Sequence, residues 1–302
     1  MHERPPQNAT AGGQPLEEDA TPIRRDEERL REDSRYVPVI IKRTDAVIRH
    51  PDDVLSFAIE EGLEQIRRPA LSLWLSSLAG GLFVGFTAMA VGVILALEQS
   101  HGLPLPARVA VAMVYPFGFV VCLMSGVELF TEHTATAVYP VLDRRTGASG
   151  MLRLWAIVLT GNLLGACGSA ALLVAADSVV GAREGYIELG RHFVVVSTGP
   201  LLLSSVLAGW LMGLAGWLML ATTPATAQIL CVYIVTFLIG LGGLHHSIAG
   251  SVEMFAALFS SDSISWAQGL RFIALAVLGN LVGGSVFVAV LNYGHIRETQ
   301  AD

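Results

Sequence analysis

Six long apolar runs fill the chain between Pro69 and Leu291, and two of them are too long and too interrupted to be plain membrane helices. A helix that crosses a bilayer needs about 20 mostly apolar residues. Four runs meet that requirement simply: Pro69 to Leu97, Leu154 to Ala176, Phe193 to Ala221 and Phe272 to Leu291. The other two, Val109 to Val138 and Ile229 to Phe259, are each about 30 residues long. Both carry glycine and ionisable groups near the middle, in "SGVELFTEHTATA" and in "LIGLGGLHHSIAGSVEMF". Within hydrocarbon every backbone polar group must be satisfied by protein or by a water-filled cavity, so an interruption at that depth belongs inside a packed body or along a pathway. The pattern predicts an all-α polytopic membrane protein with six transmembrane helices, the second and fifth broken. The plainer alternative is a tilted helix with a polar end at the surface.

An internal repeat favours the first reading. "LRLWAIVLTGNLLG" from Leu152 and "LRFIALAVLGNLVG" from Leu270 agree at 7 of 14 positions, including Arg153 with Arg271 and Asn162 with Asn280. The offset of 118 residues carries Glu128 onto His246, which makes the two interruptions counterparts. Each half then holds three spans, and an odd number inserts the second half upside down relative to the first. Inverted repeats with a matched pair of broken helices point to a transport pathway near the bilayer midplane.

Charge is concentrated at the start of the chain. Residues 1–68 hold 11 Lys and Arg and 15 Asp and Glu, that is 26 of the 45 charged side chains. The chain therefore divides into a charged cytoplasmic extension over 1–52, disordered to about Tyr36, an amphipathic helix over 53–68, a transmembrane channel domain over 69–293 and a short cytoplasmic tail over 294–302. In the helix, Val54, Leu55, Ala58, Ile59, Leu63 and Ile66 share one side, which should lie on the membrane face or against a neighbouring protomer. No apolar core suited to a signal peptide precedes residue 36. Counting Lys and Arg near the span ends gives nine on the side of the extension (Lys42, Arg43, Arg49, Arg67, Arg68, Arg144, Arg145, Arg153, Arg297) against four (Arg108, Arg183, Arg191, Arg271), which places both termini in the cytoplasm. The formal net charge of −7 argues against a nucleic-acid partner. Cys122, Cys167 and Cys231 lie in apolar runs with no metal or disulfide spacing, no cofactor is implied, and no nucleophile–base pair or nucleotide loop suggests an enzyme.

The polar groups inside the runs are the candidate site. Glu128 reads as loop-structuring, its carboxylate accepting from amides that the broken second span exposes. Glu132 and Glu253, at span ends or shoulders, take the same structural reading. His246 can change charge or share a proton near neutral pH, and its place at a symmetric break favours a pathway role over a core role. His245, one residue away, should line the mouth or pack. Thr131 offers a hydroxyl, and Leu129 and Phe130 are bulky enough to form a water-excluding constriction.

"GVELFTEHTATAVYPV" and "HSIAG" resemble the signatures of the formate/nitrite transporter family, on the second and fifth spans, with "LFTEHTATAVYPV", "GSVEMF" and the acidic extension most similar to its YfdC-like bacterial branch. The resemblance covers about residues 70–295. It implies an aquaporin-like fold in a homopentamer, one pore per protomer, in the bacterial inner membrane. It also implies that Thr131 and His246 meet at the pore centre, with Leu129, Phe130 and Ile239 near constrictions. Against the family pattern, Gly250 stands for Asn, Gly209 for a second pore Asn and His245 for Glu, and Arg191 lies near the place of an anion-attracting vestibule Lys. These changes suggest a wider, differently lined pore.

The function implied is a pH-dependent channel or proton-coupled transporter for small monovalent anions and their weak acids, with the lipid bilayer as its medium and transient proton sharing at His246. Two alternatives stand: a pore for neutral solutes such as water, ammonia or hydrogen sulfide, and a non-conducting anchor that recruits a partner through its charged extension.

Overall fold

The computed structural model describes residues 48–301, all of whose regular structure is helical. The charged extension up to residue 47, with Lys42 and Arg43, lies outside the described residues. Six helices are long and apolar enough to cross a membrane. The first is α2, Ala70–His101, after a surface helix α1, Pro51–Arg67. The second is built from α3, Ala107–Val114, and α4, Phe117–Ser125, with a kink at Pro116, and it continues after a break as α5, Phe130–Thr136, and a turn α6, Tyr139–Leu142. The third is α7, Ala148–Ala175, followed by the short α8, Asp177–Val180, and the outer helix α9, Arg183–Val195. The fourth is α10, Thr198–Ala221, and the fifth is α11, Ala225–Gly242, which resumes after a break as α12, Ser247–Ser260. The sixth is α13, Trp266–Gly284, which runs through a π-helical turn, Ser285–Val290, into α14, Leu291–Ala301.

The two halves repeat one another atom for atom at their closest crossings. A Cβ on Gly81 would sit 2.2 Å from the Asn162 carbonyl oxygen, and one on Gly209 would sit 2.3 Å from that of Asn280. A Cβ on Gly165 or Gly283 would meet the carbonyl oxygens of Leu78 and Val206 at the same 2.2 Å. Small residues at these positions let α2 cross α7, and α10 cross α13, at backbone contact, which is how helices associate where water supplies no hydrophobic driving force. The glycine at 209 therefore opens no space: the Asn280 backbone fills it. A Cβ on Gly250 would likewise meet a ring carbon of Phe272 at 2.8 Å, so at both positions the space a side chain would enter is already filled.

The amphipathic helix α1 buries Val54, Leu55, Ala58, Ile59, Leu63 and Ile66. Its partners are in its own chain. Leu55, Ala58, Ile59 and Leu63 pack with Ala135, Val138, Tyr139, Val288 and Ile296, and Gly62 touches the Thr136 carbonyl. The expectation of a membrane or neighbouring-protomer contact for this face is thus replaced by a cap over α5, α6 and the end of the sixth span. Large apolar side chains left exposed, among them Leu71, Leu152, Leu172, Leu203, Leu230 and Leu278, belong to the spans, where lipid or another apolar surface accommodates them.

Candidate functional site

Both breaks are made in the same way. α4 ends at Gly126, with φ of 62°, and α11 ends at Gly243, with φ of 60°, the left-handed conformation that favours glycine. Three residues without regular structure then follow, ending at Leu129 in one half and His246 in the other, the N-cap positions of α5 and α12, each itself extended. The offset across the breaks is accordingly 117 residues, one less than in the third spans. Leu129 is the counterpart of His246, and Glu128 is the counterpart of His245 rather than of His246. One residue fewer separates break from asparagine in the first half, and the constant offset misses that difference.

An asparagine on each third span holds each break. Asn162 Oδ1 accepts from the Phe130 N–H at 2.8 Å, and its Nδ2 donates to the Glu128 and Ser77 carbonyls at 2.9 and 2.6 Å. Asn280 Oδ1 accepts from the Ser247 N–H at 2.7 Å, and its Nδ2 donates to the His245 and Ser205 carbonyls at 3.0 and 2.7 Å. Both asparagines are fully buried. Breaking a helix in an apolar medium orphans backbone groups that cost several kcal/mol each, and one planar amide in each half satisfies a donor and an acceptor at once. The sequence repeat contains both asparagines, but only their contacts reveal this task.

Glu128 does a different job from the one expected. Its carboxylate accepts from Arg68 and pairs with His133 Nε2 at 2.5 Å, while the loop amide is taken by Asn162. The carboxylate thus fixes the break to the start of the first span through charge. His133 is held in turn, its carbonyl accepting from Trp155 Nε1 at 2.8 Å. Sequence reasoning missed Arg68 and His133 as partners, although His133 lies five residues on, within the same motif.

The two breaks meet at Thr131 and His246. Thr131 Oγ1 lies 3.1 Å from His246 Nε2, and both residues are buried. His246 Nδ1 accepts from the backbone N–H groups of Ile248 and Ala249, each at 3.2 Å. A backbone N–H can only donate, so Nδ1 carries no proton, and the neutral ring holds its hydrogen on Nε2 and gives it to the Thr131 hydroxyl oxygen. The hydroxyl's own hydrogen has no acceptor among the described residues. Phe119 stands edge-on to the His246 ring at 5.0 Å between centroids. Leu129, Phe130 and Ile239 are buried in the surrounding apolar core.

His245 has the opposite tautomer. Ser204 Oγ donates to the Leu201 carbonyl at 3.0 Å and so accepts from His245 Nδ1, which leaves Nε2 as an unpartnered acceptor. The ring sits edge-on to Phe193 and Phe272, with centroids at 5.6 and 5.7 Å. Arg191 is exposed on α9, two residues from Phe193.

On the α1 side of Leu129 lies a narrow, partly open cleft. Its walls are Phe119, Cys122, Leu123 and Val127 from the second span, Leu129, four residues of α10 from Met212 to Met219, and Val232 of α11. Glu132 is the one charged side chain in this lining, and its carboxylate makes no hydrogen bond or ion pair among the described residues.

Two inverted three-span repeats whose broken helices meet at a buried polar pair define a membrane transporter or channel body. The chain belongs to the formate/nitrite transporter family, whose model matches residues 52–294. Among its relatives, inner membrane protein YfdC of Escherichia coli (strain K12) is 30% identical over 249 residues, covering 80% of this chain and 78% of that protein. An uncharacterized transporter of Bacillus subtilis (strain 168), YrhG, is 28% identical over 252 residues, covering 81% and 92%. Among solved structures, an FNT family ion channel superposes with a TM-score of 0.72 at 21% identity, covering 81% of this chain and 99% of that one. A pentameric formate channel with formate bound superposes at 0.62 and 17% identity, covering 76% and 98%.

Proposed function

We propose that this protein is a pH-dependent pore for small monovalent anions and their conjugate weak acids, formate and nitrite among the candidates, in a bacterial inner membrane with both termini cytoplasmic. The observation that carries the reading is the hydrogen bond between Thr131 and His246, because it places a polar donor pair where two symmetric helix breaks meet inside an otherwise apolar core. The names of the relatives support the substrate class: a probable formate transporter of Methanothermobacter thermautotrophicus is 25% identical over 242 residues. The pentameric state of the formate channel supports five copies, each with its own pathway.

The chemistry follows from the tautomer. Leu129, Phe130 and Ile239 strip water from an entering solute, and a dehydrated anion then needs a hydrogen-bond donor. His246 Nε2–H donates to Thr131 Oγ1, which polarises the Thr131 hydroxyl so that it donates to the solute. The imidazole itself keeps its proton: loss from Nε2 would leave an imidazolate, and protonation at Nδ1 would displace two backbone amides from the cap of α12. Proton sharing therefore involves a group other than His246. Arg191 and His245 line the opposite approach, where the arginine attracts anions.

The test is uptake of labelled formate and nitrite into proteoliposomes, for wild type and for His246→Ala. Saturable uptake by wild type that the variant loses supports the reading. Uptake no greater than in empty vesicles, from protein that is folded and assembled, overturns it.

A further inference from the structure

An anion that travels with a proton needs a proton-exchanging group on its path, and the central pair does not supply one. We infer that Glu132 is that group, a carboxylate in the apolar cleft beside Leu129 that exchanges a proton with the weak-acid substrate on the cytoplasmic side of the constriction. The inference rests on the pore reading above.

Four observations converge on this residue. Glu132 directly follows Thr131, on the first turn of α5, so it stands on the half-helix that carries the central hydroxyl. It lines the narrow cleft beside Leu129, among ten other lining residues that bring no charge. Its carboxylate stands outside the Arg68–Glu128–His133 cluster, where both Glu128 oxygens are engaged. A carboxylate facing an apolar cleft without an ion-pair partner is costly to keep charged, and it would repel an arriving anion unless it carried a proton. The charged neighbours close enough to act on it are His133 and Glu128 at the break and Glu61 on α1. On the facing wall of α4 the titratable group is the Cys122 thiol, and the walls from α10 and α11 bring Met212, Ala215, Gly216, Met219 and Val232.

The exchange balances without any co-reactant. For exit, the protonated carboxyl gives its O–H proton to the anion, forming the neutral acid and the Glu132 carboxylate, and the neutral acid crosses Leu129 to the Thr131 hydroxyl. For entry, the acid arriving past Leu129 gives its proton to the carboxylate, and the anion leaves toward the cytoplasm. The carboxyl then exchanges its proton with cytoplasmic water. The selectivity this imposes is for solutes that can carry a transferable proton: a permanently charged anion of a strong acid gains nothing from Glu132.

The test uses the full chain in proteoliposomes, with the face bearing α1 held at about pH 5 or about pH 7.5, a range that spans imidazole titration and begins just above that of an exposed carboxylate, and with the concentration of neutral formic acid kept constant. Wild type is expected to change its formate flux between the two conditions, Glu132→Asp to keep that dependence, and Glu132→Gln to flatten it with a loss of about tenfold or more in net flux. A Glu132→Gln protein that matches wild type at both pH values overturns the inference while leaving the pore reading intact. Absence of flux in wild type sinks the pore reading itself. If Glu132→Gln does not fold, the wild-type carboxyl is tested directly with an apolar carbodiimide, which modifies protonated carboxyls, followed by peptide mass spectrometry. Labelling of Glu132 that formate slows supports the role, and an unlabelled or unprotected Glu132 refutes it.

Discussion

Replacing Asn162 by alanine should unravel the first break, and the size of the effect can be worked out from its contacts. The side chain satisfies the Phe130 N–H and the Glu128 carbonyl, two groups that the break removes from helical bonding, and it also reaches the Ser77 carbonyl inside α2. A buried group left without its partner costs about 1–3 kcal/mol, so the two break groups together predict a loss of about 2–6 kcal/mol. No water is drawn in cheaply, because Asn162 has no exposed surface. Asn162→Asp sharpens the prediction. It keeps the acceptor for Phe130 but turns a second oxygen toward two carbonyl oxygens that now lie 2.6 and 2.9 Å from a donor. Aspartate should therefore be no better tolerated than alanine, although it is the closest isostere. Asn280→Ala should cost a similar amount, since its three bonds repeat those of Asn162. The assay is denaturant or thermal unfolding of the purified protein in one detergent, with labelled-formate flux measured on the same preparations. Alanine variants that lose less than about 1 kcal/mol, the ordinary effect of a point substitution, would refute the view that these amides hold the breaks.

Three further outcomes follow from the same geometry. His246→Asn keeps an oxygen near the position of Nδ1 to cap Ile248 and Ala249 but loses the Nε2–H, so stability should hold to within about 1 kcal/mol while flux falls by about twofold to tenfold, the value of a hydrogen bond between neutral groups. Gly209→Ala, whose Cβ would meet the Asn280 carbonyl at 2.3 Å, should cost about 1–3 kcal/mol by overpacking and should not narrow any pathway, which flux per folded protein would show. Arg68→Met should destabilise the protein clearly, because it strands a largely buried Glu128, and the same change made in a Glu128→Gln background should cost much less; a double-mutant cycle in unfolding free energy with no coupling would contradict the ion cluster.

The six spans, both breaks and the inverted repeat could be read in the sequence because each rests on a local property: apolar length, a glycine flanked by ionisable groups, and repeated residues. Thr131 and His246 could be named for the same reason, since each belongs to a short motif at a break. What could not be read depended on which side chains face one another. Glu128 looks like a loop acceptor until Arg68, 60 residues away, is seen to bond to it and Asn162 is seen to take the amide instead. Gly209 and Gly250 look like missing pore side chains until the Asn280 backbone and the Phe272 ring are found in the space they leave. The face of α1 looks like a membrane or partner surface, because an amphipathic pattern records burial but not what does the burying. Glu132 reads as structural from its place at the shoulder of a broken span, and only the structure shows that it lines a cleft with Met212 and Met219.

The symmetry also explains why the two halves share a frame and divide the chemistry. Gly126 and Gly243 end their helices alike, and Asn162 and Asn280 hold the following residues alike, so the frame needs only glycine and asparagine in each half. The N-cap position is then free to differ. In the second half it is His246, whose ring caps α12 with one nitrogen and reaches Thr131 with the other. In the first half it is Leu129, which gives α5 no side-chain cap and instead lines the cleft that Glu132 also lines. A histidine at both positions would put two donors at the centre and remove the apolar seal, and a leucine at both would leave α12 uncapped and an anion without a donor. In the proposed pore, weak-acid passage uses a donor on one side and a seal on the other, and the pseudo-symmetric frame offers a histidine and a leucine at equivalent points of the chain.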